Sequence, residues 1–396
     1  MYIAMLGRQP ELGVAELERI YGADAITPVL ASGAALIDAE LEASAMQRLG
    51  GSVKLAKVLT TIKSNDWRDI EKYLAKMIPE HLQYVPEGKL RLGVSAYGLR
   101  VKPDAINATN LRLKRIIKSA GRSVRVVPNK ELALNSAQVI HNQLTGSTGW
   151  ELVLVRRGSN TILAQTIAEQ DIEAYAARDQ ARPARDAFVG MLPPKLAQIM
   201  LNLAVAQLPE KADDTQNVIL DPFCGTGVIL QEAALMMYLP YGTDLSEKMI
   251  RYSRDNLAWM QDKFGIHYHW NLEEGDAMTH TWLQPVDAVV CEAYLGQPFS
   301  APPSPAKLRE VEGNCDHIIS EFLKNIGSQI KPGTPLCVAV PAWRGANGWL
   351  THLPLIKKLD QLGYKQVEFK NVNAQDLLYY RENQVVAREL LVLERI

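Results

Sequence analysis

Little in this sequence suggests an oxidised, metal-held or membrane-bound protein. Its four cysteines, Cys224, Cys291, Cys315 and Cys337, are scattered over 396 residues without a C-x-x-C pair, which argues against both a disulfide framework and a thiolate zinc site. His267 and His269 form a lone pair and read as surface or strand residues, so no metal is expected. No apolar run approaches the roughly 20 residues of a membrane span. The apolar start Met1–Leu6 is broken by Gly7-Arg8 and has no basic region before it, unlike a secretory signal. The expectation is a cytoplasmic protein with no membrane partner. Internal repeats and low-complexity tracts are missing as well, which removes solenoid architectures and long disordered tracts from consideration.

Net charge is nearly absent too, at −1, but the total hides a segregation. From Lys89 to Lys130 the basic residues are Lys89, Arg91, Arg100, Lys102, Arg112, Lys114, Arg115, Lys118, Arg122, Arg125 and Lys130, against the single acid Asp104. Such a local excess attracts polyanions. Arg112, Arg115 and Lys118 recur at i, i+3 spacing and would share one helix face. With 47% hydrophobic and 22% charged residues, the chain has the composition of packed globular domains. Its length exceeds the usual ceiling for one core, so two or three domains are expected.

The patterning divides in the same way. Over 1–52, a short apolar strand, a helix from Glu11 to Tyr21, one or two strands within Ala25–Ile37 and a helix over Glu42–Leu49 predict a small α+β element. Over 53–170, strands at Val53–Ile62, Leu90–Ala96, Val124–Val127 and Glu151–Arg156 and helices at Trp67–Met77 and Ala105–Ala120 predict a second α+β module. Arg178, Arg182, Pro183, Arg185, Pro193 and Pro194 mark 171–194 as a linker. Over 195–396, an apolar helix enters behind two prolines. Strands then alternate with helices: Val218–Leu220, Tyr241–Thr243, a weaker strand near His267, Ala288–Cys291 and Leu336–Val340, closed by an antiparallel pair at Gln366–Phe369 and Glu389–Leu393. This alternation predicts an α/β domain with a mostly parallel sheet covered on both faces.

The most informative residues are V-I-L-D-P-F-C-G-T-G-V-I-L-Q-E-A-A, Val218 to Ala234, an apolar strand, a glycine turn and a helix. Gly225 and Gly227 let the backbone approach a ligand closely and take positive φ. The turn is neither the G-x-G-x-x-G of nicotinamide enzymes nor a phosphate loop with G-K-[ST]. Some 20 residues on, the strand Tyr241–Thr243 ends in Asp244, where doubly wound folds hold ribose hydroxyls. Glu274-Gly275-Asp276-Ala277 offers a third carboxylate near a strand end, suited to an adenine amino group. Each acid alone reads as a cap or turn residue; the three in this order read as a site.

With these residues in view, the sequence resembles a class I methyltransferase, specifically the THUMP-domain family that methylates the exocyclic amine of guanine in tRNA. D-P-F-C-G-T-G carries the resemblance most specifically. The opening L-G-R-Q-P-E-L-G-V-A-E-L resembles that family's ferredoxin-like element, Val53–Ala168 its THUMP region, and R-P-A-R-D-A-F-V-G-M-L-P-P-K-L-A-Q, Arg182–Gln198, its entry to the catalytic domain. The resemblance implies a Rossmann-like domain with a seven-stranded, mostly parallel sheet behind ferredoxin-like and THUMP domains. It further implies S-adenosylmethionine as cofactor, tRNA as partner, and an activator subunit in some relatives. It places Asp221, Pro222, Phe223, Cys224, Gly225, Thr226 and Gly227 at the methionine moiety, Asp244 with Leu245 at the ribose, and Asp276 with Ala277 at the adenine.

Methylating guanine N2 demands alignment more than covalent help, and acceptors that favour the attacking form of a conjugated amine. Relatives use a D-P-P-Y or N-P-P-Y turn. Here D-A-V-V-C-E-A-Y-L-G, Asp287–Gly296, departs from it. A turn one residue shorter makes Glu292 the acceptor and Tyr294 the stacking ring; the plainer alternative is a turn acid and a rim aromatic in a lapsed site. Arg100, Lys102, Arg112, Lys114, Arg115, Lys118, Arg122 and Arg125 are the candidate RNA contacts. An rRNA guanine or DNA adenine methyltransferase, or a non-catalytic RNA-binding protein with a vestigial pocket, are the competing expectations.

Overall fold

The computed structural model describes residues 1–186, 192–209, 211, 215–345, 348–382 and 384–396. Residues 187–191, part of the expected linker and of the Arg182–Gln198 segment, lie outside the described residues. Two compact units are present, Met1–Leu17 with Tyr21–Ile172, and Glu18–Ile20 with Glu173–Ile396.

The first unit runs β1 (Tyr2–Leu6), α1 (Pro10–Tyr21), β2 (Ile26–Val29), β3 (Ala34–Ile37), β4 (Ser52–Ile62), α2 (Trp67–His81), β5 (Leu90–Tyr97), α3 (Pro103–Ser119), β6 (Val124–Val126), α4 (Ser136–His141), β7 (Gly149–Arg157) and β8 (Asn160–Glu169). Its strands form one sheet in the order β2-β3-β1-β4-β8-β7-β5-β6. β4 pairs antiparallel with both β1 and β8, so the sheet is continuous through residues 52 and 53. All five residues of β1 are buried, as a strand in mid-sheet requires. α2 and α3 lay the stripes Ile70, Leu74, Ile78 and Ile106, Leu113, Ile117 against Leu92, Val94, Leu152 and Leu154, the helical spacing of a core-facing side. α2 is capped by Asp66, whose carboxylate accepts from the Arg68 N–H at 2.8 Å, and α3 starts on Pro103. The expected helix over Glu42–Leu49 is instead a short 3₁₀ helix, Ala43–Arg48, because it buries only Met46 and has no apolar face to hold a longer element.

The second unit runs α5 (Ile172–Gln180), α6 (Pro194–Val205), β9 (Val218–Asp221), α7 (Val228–Leu235), β10 (Leu239–Asp244), α8 (Glu247–Phe264), β11 (Asn271–Glu274), β12 (Ala288–Glu292), α9 (Pro305–Gly327), β13 (Pro335–Arg344), β14 (Leu350–Thr351), β15 (Tyr364–Gln366), β16 (Leu378–Tyr379) and β17 (Val386–Arg395). The sheet order is β11-β10-β9-β12-β13-β17-β15, with β14 on β13 and β16 on β17. β11, β10, β9, β12 and β13 are parallel, and β17 reverses against β13. This seven-strand path with one reversed strand fits the seven-stranded, mostly parallel sheet that the resemblance implies. Alternate strand residues such as Leu220, Val289, Val338 and Leu391 pack with Cys315, Ile319 and Phe322 of α9, while their neighbours Ile219, Val290 and Cys337 are equally buried, so helices cover both faces. Strand order reverses around β9, which has β10 on one side and β12 on the other, and that is where such sheets open a crevice.

Two expectations shift. The strand near His267 begins only at Asn271: Tyr268 and Trp270 alternate like a strand because they pack on Cys224, Leu230, Ile250 and Leu257, but the register with β10 starts at Asn271. Within the expected linker, Ile172–Gln180 is helical. It escapes apolar periodicity because its buried residue is Arg178, ion-paired with Glu232 of α7 at 2.6 Å.

Candidate active site

The turn between β9 and α7 is held from three directions. Gly225 and Gly227 have φ of 52° and 80°, a backbone that only glycine takes without strain. The Cys224 N–H donates to the Thr243 carbonyl at 3.0 Å, tying the turn to β10. From α8, the Ser253 hydroxyl donates to the Gly225 carbonyl at 2.9 Å and the Asn256 amide to the Thr226 carbonyl at 2.8 Å. Neither α8 residue is conspicuous in sequence, since both arrive from a separate helix. The Cys224 thiol is buried, and that burial pushes its pKa well above the ordinary value, which makes it a packing residue rather than a nucleophile.

Three strand-end aspartates share one local device. Asp221 accepts from the Phe223 N–H at 3.1 Å, Asp244 from the Ser246 N–H at 2.9 Å, and Asp276 from the Met278 N–H at 2.9 Å. Each is an Asx turn, so the turn reading and the site reading hold together: the backbone contact fixes the carboxylate and leaves further lone pairs for a ligand. Asp244 also receives the Gly225 N–H at 2.9 Å, linking the ribose-position acid to the glycine turn.

These residues line a single cavity of about 530 Å³, within the range of small-ligand sites. It brings together Asp221, Pro222, Phe223, Cys224, Gly225, Thr226, Asp244, Leu245, Asp276, Ala277, Glu292 and Tyr294, and adds Leu192, Val228, Ile229, Met278 and Ile318 among others. Gly227 does not line it; it caps the start of α7, where a Cβ would stand 2.9 Å from the Ser253 hydroxyl oxygen. Leu245 is 72% exposed at the rim and Ala277 is buried, an apolar lip and floor for a flat ring. No lysine, arginine or histidine is among the described lining residues. Burial raises the pKa of Asp221 well above its ordinary value, with Asp244 and Glu292 adding like charge, and burial likewise raises Asp244. A cavity of carboxylates kept from water favours a cationic ligand and disfavours a nucleoside phosphate.

Glu292 ends β12 and lines the cavity, but it is not free: the Arg388 guanidinium of β17 donates to its carboxylate. Tyr294, two residues on, is 41% exposed at the same cavity.

Residues 182–309 match the family described as "RMKL-like, methyltransferase domain". That stretch is similar to a methyltransferase domain and ends within α9, before β13, β15 and β17. The chain is 33% identical over 165 residues to the tRNA (guanine(10)-N2)-dimethyltransferase of Methanothermobacter thermautotrophicus, a match covering 41% of this chain and 43% of that protein. To the protein of the same name from Pyrococcus abyssi it is 41% identical over 110 residues, 28% of this chain and 26% of that one. The matched stretches thus span less than half of these curated relatives. Among solved structures, TrmN from Thermus thermophilus aligns over 100% of this chain and 99% of its own with a TM-score of 0.52 at 17% identity, a likeness of fold.

In the first unit, the basic candidates separate into two groups. Arg100, Lys102, Arg115, Lys118 and Arg125 are exposed and Lys114 is half-buried. Arg122 is committed to the main chain, donating to the carbonyls of Gly88 at 2.8 Å, Val85 at 3.1 Å and Pro86, and Arg112 is ion-paired with Glu71. These two fix local structure, so the i, i+3 row is reduced to Arg115 and Lys118.

Proposed function

We propose that this chain transfers the methyl group of S-adenosylmethionine to the N2 amine of a guanosine in tRNA. The observation that carries the reading is the cavity at the carboxyl ends of β9, β10 and β12, walled by Asp221, Asp244 and Asp276, with Glu292 held at its edge by Arg388, and without a lining cation among the described residues. Such a site suits a ligand with a sulfonium and an ammonium group, and its glycine turn leaves room for the methionine moiety beside Asp221. When bound, the cofactor supplies an electrophilic methyl carbon. The protein's part is to orient: Asp244 accepts from the ribose diol with Leu245 over the ring edge, Asp276 and Ala277 meet the adenine, Tyr294 offers a stacking face to the target base, and Glu292 accepts an N–H of its amine. With that methyl carbon in place, Tyr294 and Glu292 would hold the attacking nitrogen toward it, and the displaced amine proton would pass to Glu292 or solvent.

The choice of substrate follows the curated relatives' names together with the THUMP resemblance of residues 53–168 and the exposed cations Arg100, Lys102, Lys118, Arg115 and Arg125. The test is incubation with unmodified tRNA and labelled S-adenosylmethionine, followed by digestion and mass spectrometry of nucleosides. N2-methylguanosine or its dimethyl form is expected. Cofactor binding with no transfer to tRNA would overturn the substrate assignment, and no cofactor binding would overturn the reading as a whole.

A further inference from the structure

Among the described residues of the cavity, Glu292 is the acid that carries an ion pair. Its partner Arg388 is 8% exposed and sits on β17 opposite Pro341 of β13, while Glu292 on β12 stands opposite Ala339. The guanidinium therefore reaches across β13 to hold the carboxylate at the edge of the site. β17 is already paired with β13 in unbroken register from Pro335 to Trp343, so the strand does not depend on this contact for its place. Removing two ions from water is costly.

What the pair changes is charge. A bare carboxylate at Glu292 would attract a sulfonium before transfer, and attraction already realised in the ground state does not raise turnover. Compensated by Arg388, the same carboxylate keeps its lone pairs for N–H donors and loses most of its pull on a cation. We infer that Arg388 is a positioning residue that neutralises and orients Glu292, so that this carboxylate accepts from the target amine instead of pairing with the cofactor's sulfonium. The inference rests on the reaction proposed above.

The test compares R388M, R388K and E292Q/R388M with the unaltered protein, with thermal unfolding as the folding control and calorimetric affinities for S-adenosylmethionine and for its uncharged thioether product. Releasing the Glu292 charge in R388M is expected to shift the affinity ratio toward the sulfonium form by about 3- to 10-fold, the effect of a partly screened charge, while turnover on tRNA falls. R388K holds both close to their starting values, and E292Q/R388M abolishes the shift in ratio. An unchanged ratio in folded R388M, or a loss of sulfonium affinity alone, overturns the inference; should R388M not fold, R388Q carries the same comparison. The ratio needs no turnover, so it is read even if the tRNA assignment fails, and unaltered protein that binds neither ligand overturns both readings.

Discussion

Asp244 joins two tasks that the sequence could only offer as alternatives. Its oxygens hold the backbone N–H groups of Gly225 and Ser246, and it lines the cavity. D244A removes a charged acceptor worth about 1.5–3 kcal/mol to a bound hydroxyl, so cofactor affinity is expected to fall by about 10- to 100-fold in calorimetric titration; D244N, which keeps an acceptor oxygen, should fall between. Unchanged affinity in D244A would remove Asp244 from the site. Gly227 is a different case, since it touches no ligand space. Its φ is 80°, and a methyl group placed on its Cα would stand 2.9 Å from the Ser253 hydroxyl oxygen, so G227A forces both backbone strain and movement of α8. A loss of about 1–3 kcal/mol in unfolding free energy is expected, together with weaker cofactor binding, because Ser253 also fixes the Gly225 carbonyl.

At the scale of elements, α5 shows how a charged pair can replace an apolar seam. Arg178 and Glu232 meet in the interior at 2.6 Å, and burial raises the Glu232 carboxyl to about 7 even against the pull of Arg178. In the folded protein this carboxyl therefore keeps its proton to higher pH than in the unfolded chain. Stability from this group is greatest below pH 4.5 and is lost as pH rises to about 7. E232Q, a neutral stand-in for the protonated acid, is expected to flatten that slope in denaturant titrations run from about pH 5 to 8; an unaltered slope would assign it elsewhere. α5 is hidden from sequence because its one inward residue is an arginine. The strand, turn and helix of Val218–Ala234 are legible because all their determinants are local, down to the two glycines. What is not legible comes from far along the chain: Ser253 lies 28 residues from the carbonyl it holds, Asn256 lies 30, and Arg388 lies 96 residues from Glu292. The opening residues L-G-R-Q-P-E-L-G-V-A-E-L are legible as a strand and helix, but the reason for Gly13 is not: a Cβ on it would stand 2.9 Å from the Leu6 side chain and 3.0 Å from the Gly51 carbonyl oxygen, and Glu16 binds the N–H groups of Gly50 and Gly51.

For the whole molecule, near-neutral charge conceals a segregation between a carboxylate-lined cavity in one unit and exposed cations on the other. A polyanion is repelled by the first and attracted by the second, so affinity for RNA and affinity for the cofactor should be separable by mutation. Arg115 and Lys118 on α3 and Arg125 on β6, the strand at the sheet's edge, are exposed, whereas Arg122 and Arg112 are occupied by protein partners. Each phosphate neutralised contributes about 0.7–0.9 to the slope of log affinity against log salt. Reversing Arg115, Lys118 and Arg125 to glutamate is therefore expected to lower that slope for tRNA by roughly two to three, while the affinity for S-adenosylmethionine stays as it was. R122E should behave otherwise, because its loss frees three carbonyls in the segment before β5 and registers first as a lower unfolding midpoint. If the triple reversal left the salt slope intact, these cations would be a solvated face, and the RNA contacts would have to be sought among Arg100, Lys102 and Lys114 instead.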